Sequence, residues 1–366
     1  MKRSGLTIAL LAGILFTSSA QTSKLRKDAI LKRLTSFADW QYNNLYGKVY
    51  PNKIDWIYAP FWDGITSLYK ITRNDTYLQS MVQTGEEYSW KTMNDVFNAD
   101  RLPIGRMYFD AAAFSGKKEY ADKITWVLDM HMSRSAKADV KHKGNPYRYE
   151  WWTWCDALYM GPSTFVKAAQ ITGNPKYLDY MEKHWFKTSD YLYSKTDSLY
   201  YRDDNFFDKQ SPNGNKVFWG RGNGWVIAGL AMVLNDLPKE YSNRAKFEQQ
   251  FREMAYKMKS LQRKDGLWAS NLLDPGTAPG ESSATALITY ALTWGVNNGL
   301  LDKATFGRPV ETAWLRLVQN VNAEGKLGYV QKVSDAPGGA GPDDTQIYAA
   351  GAFIMAGCEI FRFAAK

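Results

Sequence analysis

The sequence runs to 366 residues, 45% apolar, 15% aromatic and 23% charged, a balance that excludes disordered, collagen-like and disulfide-framework chains and fits one large globular domain or two modest ones. Lysine and arginine number 46 against 37 acids, a net charge of +9, which favours anionic partners. No basic run resembles a DNA-reading helix or arm, so the expected partner is an acidic carbohydrate rather than nucleic acid.

Residues 1–20 open with Lys2 and Arg3, continue through an apolar run over Leu6–Phe16 and end in Ser18, Ser19 and Ala20. That is the layout of a secretory signal, too short to span a bilayer. No cysteine lies near the expected cleavage point, so no lipid or membrane anchor is expected, and residues 21–366 are read as one exported, periplasmic or secreted, catalytic domain. Removing Lys2 and Arg3 leaves 44 basic residues against 37 acids, a net charge of +7.

A phrase then recurs at Ile71–Leu78, Phe114–Ala121 and Ile171–Leu178. Each copy comes after an apolar, small-residue-rich stretch and precedes an amphipathic one (Tyr77–Trp90, Tyr120–Met132, Tyr177–Thr188), the pattern of a helical hairpin turn. Six segments rich in Gly, Ala and aromatics open on polar or glycine-rich phrases: Trp62-Asp63-Gly64, Asp100-Arg101, Cys155-Asp156, Gly220–Trp225, Glu281–Ser283 and Asp343–Thr345. Apolar-all-round helices are buried helices, and six of them alternating with six amphipathic ones predict an all-α (α/α)6 toroid. The polar phrases are expected together at the N-terminal mouth of the inner helices, where free N–H groups favour anions. Inserted stretches over 137–149, 193–216 and 262–280 carry turn signals and predict short hairpins lining that rim. Cys155 and Cys358 lie in apolar segments and read as buried thiols, with a disulfide between them left open.

Several chemistries lack their motifs. His131, His142 and His184 show no zinc-ligand spacing, so no metal site is expected. No nucleophile elbow or phosphate-cradling loop occurs, and Gly220-Arg-Gly-Asn-Gly224 has the wrong spacing for a dinucleotide, so no cofactor is expected. What remains is carboxylates among aromatics. Asp156, in Trp151-Trp-Thr-Trp-Cys-Asp156, sits at a helix start beside indoles, where desolvation raises its pKa, and Asp100 holds the matching place at the preceding inner helix. The same position also suits an aspartate that does nothing but cap its helix. In Phe218-Trp-Gly-Arg-Gly-Asn-Gly-Trp225, Arg221 between Trp219 and Trp225 suits either a carboxylate clamp with a stacking indole or a packed structural plug.

Taken together, Trp154–Pro162, Trp219–Trp225, Arg263–Trp268 and Glu281–Ala286 resemble the unsaturated rhamnogalacturonyl hydrolases of glycoside hydrolase family 105 and the related unsaturated glucuronyl hydrolases of family 88, in the same order over nearly the whole mature chain. The resemblance implies an (α/α)6 barrel and a substrate left by polysaccharide lyases, an oligosaccharide ending in a 4-deoxy uronic acid with a C4=C5 double bond. It also implies hydration of that bond by one acid/base carboxylate, without metal or covalent intermediate. By motif, Asp156 corresponds to the catalytic aspartate and Asp100 to its partner, which holds sugar hydroxyls and keeps Asp156 protonated. Arg221, Trp219 and Trp225 line the unsaturated sugar's subsite, joined by Tyr58.

Two departures stand out. Many members carry a histidine after the Tyr-Tyr phrase, where this chain has Arg202, which either takes over carboxylate recognition or marks a loop for another substrate. Arg148, ahead of Asp156, is a carboxylate ligand by position only. Two other readings share the toroid: a sugar 2-epimerase, which needs histidine acid/bases at the mouth, and a non-catalytic carbohydrate-binding ring. The oligomeric state and the identity of the neighbouring sugar are not fixed by the sequence.

Overall fold

Two kinds of helix alternate along the chain, and their burial matches their composition. The computed structural model describes residues 25–133 and 139–364; the signal segment read over 1–20, and the start of the rim stretch at 137–138, lie outside them. Six helices bury one stripe: α1 (Lys27–Asn44), α3 (Asp75–Glu87), α5 (Asp122–Met132), α7 (Lys176–Leu192), α9 (Arg244–Leu261) and α11 (Lys303–Gln319). In α7 the buried residues Tyr177, Met181, His184, Trp185 and Thr188 recur at helical spacing, which leaves the opposite face to water. The other six are α2 (Ala59–Thr72), α4 (Ile104–Ser115), α6 (Pro162–Thr172), α8 (Gly220–Asp236), α10 (Ser282–Asn297) and α12 (Ile347–Phe363). In α10 every residue from Ser282 to Gly295 is buried, as is every residue from Ile347 to Ile360 in α12.

Each inner helix packs on the next, α2 on α4, α4 on α6, and so on round to α12, which packs back on α2 and closes the ring. The outer helices lie against the inner ones, giving the six-hairpin (α/α)6 architecture. The recurrent phrases do form the hairpin turns: Arg73, Gly116 and Gly173 end α2, α4 and α6 in the left-handed conformation. At the second turn the chain first takes a tight 3-10 turn over Lys118–Ala121, so α5 begins at Asp122 rather than at Tyr120. The seam between α2 and α12 is the tightest: a Cβ added at Gly351 would stand 2.0 Å from the carbonyl oxygen of Pro60, so only glycine fits.

Two short antiparallel hairpins line the rim, β1 (Tyr193–Ser194) with β2 (Leu199–Tyr200) and β3 (Trp268–Ala269) with β4 (Gly280–Glu281). They fall in the second and third inserted stretches; residues 139–149 carry a 3-10 turn instead. Cys155 and Cys358 are both buried free thiols. Among the described residues no helix is long and apolar enough to cross a membrane.

Candidate active site

The inner helices begin at one end of the ring, and the polar phrases gather there with one exception. Asp63 lies inside α2, buried, and pairs with Arg106 of α4, Nε to Oδ1 at 2.8 Å and Nη2 to Oδ2 at 2.6 Å. It faces a polar cavity of about 410 Å³ at the opposite end, which Lys70, Lys167, Asp236, Tyr290 and Glu359 also line. The expectation that Asp63 belongs to the mouth is therefore corrected. A carboxylate one turn into a helix that is apolar all round lies apart from that helix's open end, and its burial is offset by a buried cation.

Asp156 precedes a single helical turn, Ala157–Met160, and is 8% exposed. Its carboxylate makes no capping hydrogen bond to that turn. Instead Oδ2 lies 3.4 Å from the Cys155 thiol and 3.8 Å from Nε of Arg202. Arg202 is delivered by the β1–β2 hairpin: Asn223 in α8 accepts from the Tyr200 amide at 2.7 Å and donates to the Tyr200 carbonyl at 2.9 Å, and the Cys155 amide donates to the Arg202 carbonyl at 2.8 Å. Gly222, one residue before Asn223, leaves room for Cys155, whose sulfur would be 3.0 Å from a Cβ there. Gly222 of the Trp219–Trp225 phrase thus serves to bring Asp156 and Arg202 together.

The next residue in the chain holds Arg202 in place. Nη1 of the arginine donates to Asp203 Oδ2 at 2.5 Å, and its Nε is buried without a hydrogen-bond acceptor among the described residues. Nη1 also lies 3.4 Å from Nε2 of His142, whose Nδ1 is 2.8 Å from the Thr153 hydroxyl. Asp204 accepts from the amides of His142 and Lys143 at 3.2 and 2.8 Å, pinning the rim loop. Arg148 lies on the same rim, partly exposed, over the Tyr149 ring at 4.7 Å.

The charges in this cluster are coupled. Burial pushes the Asp156 carboxyl up, and Arg202 and then Arg221 pull it back. Asp100, on a 3-10 turn over Ala99–Arg101, is pushed up to about 7 by burial and then by the Asp156 charge, against Arg101 and Arg202. Two buried carboxylates whose charges repel share a proton near neutrality, as the sequence reading expects of Asp100 and Asp156. Arg202 pulls both carboxyls down, and no spacing rule revealed its placement. His142 is pushed down by burial, which leaves its imidazole neutral.

The Arg221 group is a packed assembly. Its guanidinium lies over Trp219 at 4.3 Å and Tyr348 at 5.3 Å, while Nη1 and Nη2 donate to the carbonyls of Gln331 and Lys332 at 3.2 and 3.0 Å. Gln331 Oε1 accepts from Trp219 Nε1 at 3.0 Å. Trp225 packs on Tyr159 and Tyr348, not on Arg221. Trp219, Arg221 and Trp225 are each 2% exposed or less, so they form the wall behind the site, with Arg221 acting on Asp156 through its charge. Tyr58 is fully buried, its hydroxyl donating to the Tyr50 carbonyl at 2.9 Å and accepting from the Tyr50 amide at 3.0 Å. That corrects its expected place as a sugar contact, because a ring with no exposed surface cannot reach a sugar. Trp56, two residues earlier, keeps part of its indole open and stacks on Tyr348 at 5.9 Å, so it is the aromatic surface sequence reasoning missed. Of the three histidines, His142 reaches this cluster; His131 and His184 lie on α5 and α7 against Trp151.

The sequence profile of Glycosyl Hydrolase Family 88 matches residues 29–364. An unsaturated 3S-rhamnoglycuronyl hydrolase from Formosa agariphila is 33% identical over 98% of this chain and 97% of its own length. The structure of a glycosyl hydrolase family 88 protein from Bacteroides vulgatus superposes with a TM-score of 0.82 at 29% identity, covering 92% of this chain and 99% of that one. A chain described as a polysaccharide lyase is similar to the same degree, with a TM-score of 0.82 at 29% identity over 92% of this chain and 98% of that one.

Proposed function

The chain belongs to glycosyl hydrolase family 88, and from that membership and the charges at its mouth we propose that Asp156 protonates the double bond of an unsaturated uronic acid whose carboxylate Arg202 holds. The protein is a glycosidase that removes a non-reducing-end 4,5-unsaturated uronic acid from oligosaccharides. C5 of such a sugar carries the ring oxygen, so the C4=C5 bond is an enol ether, electron-rich at C4. A proton delivered to C4 leaves an oxocarbenium centre at C5, water adds there, and the hemiketal opens, releasing the neighbouring sugar without attack on C1. One carboxylate suffices as acid and then as base.

The observation that carries this reading is an Asp156 carboxylate free of capping duty and beside an arginine with a free edge. When a uronate carboxylate pairs with Arg202, the pull of that cation on Asp156 is quenched and a second negative charge is added nearby. Both changes favour the protonated acid at Asp156. Asp100 holds sugar hydroxyls beside it, and Trp56 offers a face to the ring. Arg148 and His142 shape the rim where the next sugar lies.

The Formosa agariphila relative points to the 3S-rhamnoglycuronyl class as the first substrate to try, and the excess of basic residues fits an acidic oligosaccharide. Export with loss of residues 1–20, leaving 21–366 as one catalytic domain, belongs to the same reading. The test reads the ultraviolet absorbance of the double bond with disaccharides from ulvan, pectin, glycosaminoglycan and arabinogalactan lyases. Hydration removes the absorbance, a lyase acting on polymer would create it, and a binding ring would leave it unchanged. Asp156→Asn is expected to abolish the loss with an unaltered circular-dichroism spectrum; a variant retaining most of the rate would refute the assignment.

A further inference from the structure

The inner segment that Asp156 opens is broken. It runs for one turn, Ala157–Met160, and resumes as α6 at Pro162, which has no N–H to return to the Leu158 carbonyl. At this break Arg106 reaches across from α4, its Nη1 donating to the carbonyls of Tyr159 and Met160 at 3.2 and 3.1 Å. The same two residues hold Asp156 from the other side, since the amides of Tyr159 and Met160 both donate to the Asp156 carbonyl, at 2.9 and 3.2 Å. Arg106 is fully buried, and its remaining edge is taken by Asp63. The Tyr159 hydroxyl donates to Asp63 Oδ2 at 2.8 Å, and the Arg106 guanidinium lies 4.9 Å from the Tyr159 ring centre.

A buried ion pair adds little net stability over an apolar pair of equal volume, so stability alone is a poor reason for this one. What sets it apart is where the spare donor goes. The Asp156 side chain meets the Cys155 thiol, Arg202 and its own main-chain amide, and Arg202 is the group that substrate engages under the proposed function. The direction of the acid therefore has to come from its main chain. We propose that Arg106, clamped by Asp63, is a positioning residue that aims Asp156 by fixing the turn on which it stands. The inference rests on Asp156 being the proton donor.

Arg106→Lys keeps a charge for Asp63 but loses the planar fork that serves both carbonyls. Misplacing a reacting group by an ångström costs on the order of 100-fold, so kcat of Arg106→Lys is expected to fall by about that factor with KM changed less than about twofold. A loosened turn admits water to Asp156, so the alkaline limb of kcat/KM should also move to lower pH, a shift that a merely structural role would not produce. Tyr159→Phe, which removes only the hydroxyl on Asp63, is the second variant and should show the same two changes at about a tenth of the size. Circular dichroism certifies the fold of each, and if Arg106→Lys does not fold, Tyr159→Phe decides. Wild-type kcat and an unmoved limb in the folded variants overturn the proposal. Asp156→Asn is measured alongside: full activity there removes the acid assignment, whereas an inactive Asp156→Asn with an unimpaired Arg106→Lys removes the clamp alone.

Discussion

Arg202 divides itself between two carboxylates, with Nη1 2.5 Å from Asp203 Oδ2 and Nε 3.8 Å from Asp156 Oδ2. The first contact is a full charge-assisted hydrogen bond and the second is a contact at a distance. Asp203 therefore anchors the guanidinium, and under the proposed function the side facing Asp156 is the one the uronate engages.

Replacing Arg202 by Gln should raise KM for an unsaturated disaccharide by about 10- to 100-fold, the value of a hydrogen-bonded charge. The same change removes a cation that pulls Asp156 down, so the alkaline limb of the pH profile should move to higher pH. Steady-state kinetics across pH measure both, and an unchanged KM would mean that the uronate carboxylate binds elsewhere.

Asp100→Asn should alter stability with a defined sign. The folded carboxyl, at about 7 against an ordinary 3.8, binds its proton more tightly than the unfolded chain does. Its contribution is thus greatest at low pH and is lost as pH climbs from about 4 to 7. The variant should unfold at a temperature higher than wild type by about 3 °C or more near pH 8, and the difference should close near pH 4. Thermal scans at the two pH values check it.

Trp56→Ala removes the open indole at the mouth. Stacking of this kind is worth about 1 kcal/mol, so KM should rise roughly fivefold while kcat holds. Unchanged KM and kcat would put Trp56 outside the substrate site.

Gly351→Ala drives a methyl group into the Pro60 carbonyl at the α2–α12 seam. Rigid backbone stands on both sides, so the cost should reach at least about 1–3 kcal/mol, read as a lowered denaturation midpoint or loss of soluble protein. A variant as stable as wild type would show that the seam can slide.

The ring was legible because its signals are periodic: α7 shows its buried stripe and α12 its unbroken apolar run in composition alone. Asp156 and Asp100 were legible because each opens an inner segment. Asp63 misled for the same reason, since its phrase looks like a helix opening but lies inside α2, and only the Arg106 fork, from 43 residues away, explains how it is tolerated. His142 carried no signal, because its meaning comes from a loop folding onto Arg202. Arg221 gave a true signal of burial among aromatics, with Tyr348 in the place assigned to Trp225.

The inner helices α2 and α12 meet at the Gly351 seam, so the barrel cannot shut until α12 has been synthesised. Until that moment α2 has no partner on one flank and the chain stays an open arc of apolar helices, prone to self-association. Deleting α12 should therefore not yield a smaller working enzyme but a sticky crescent.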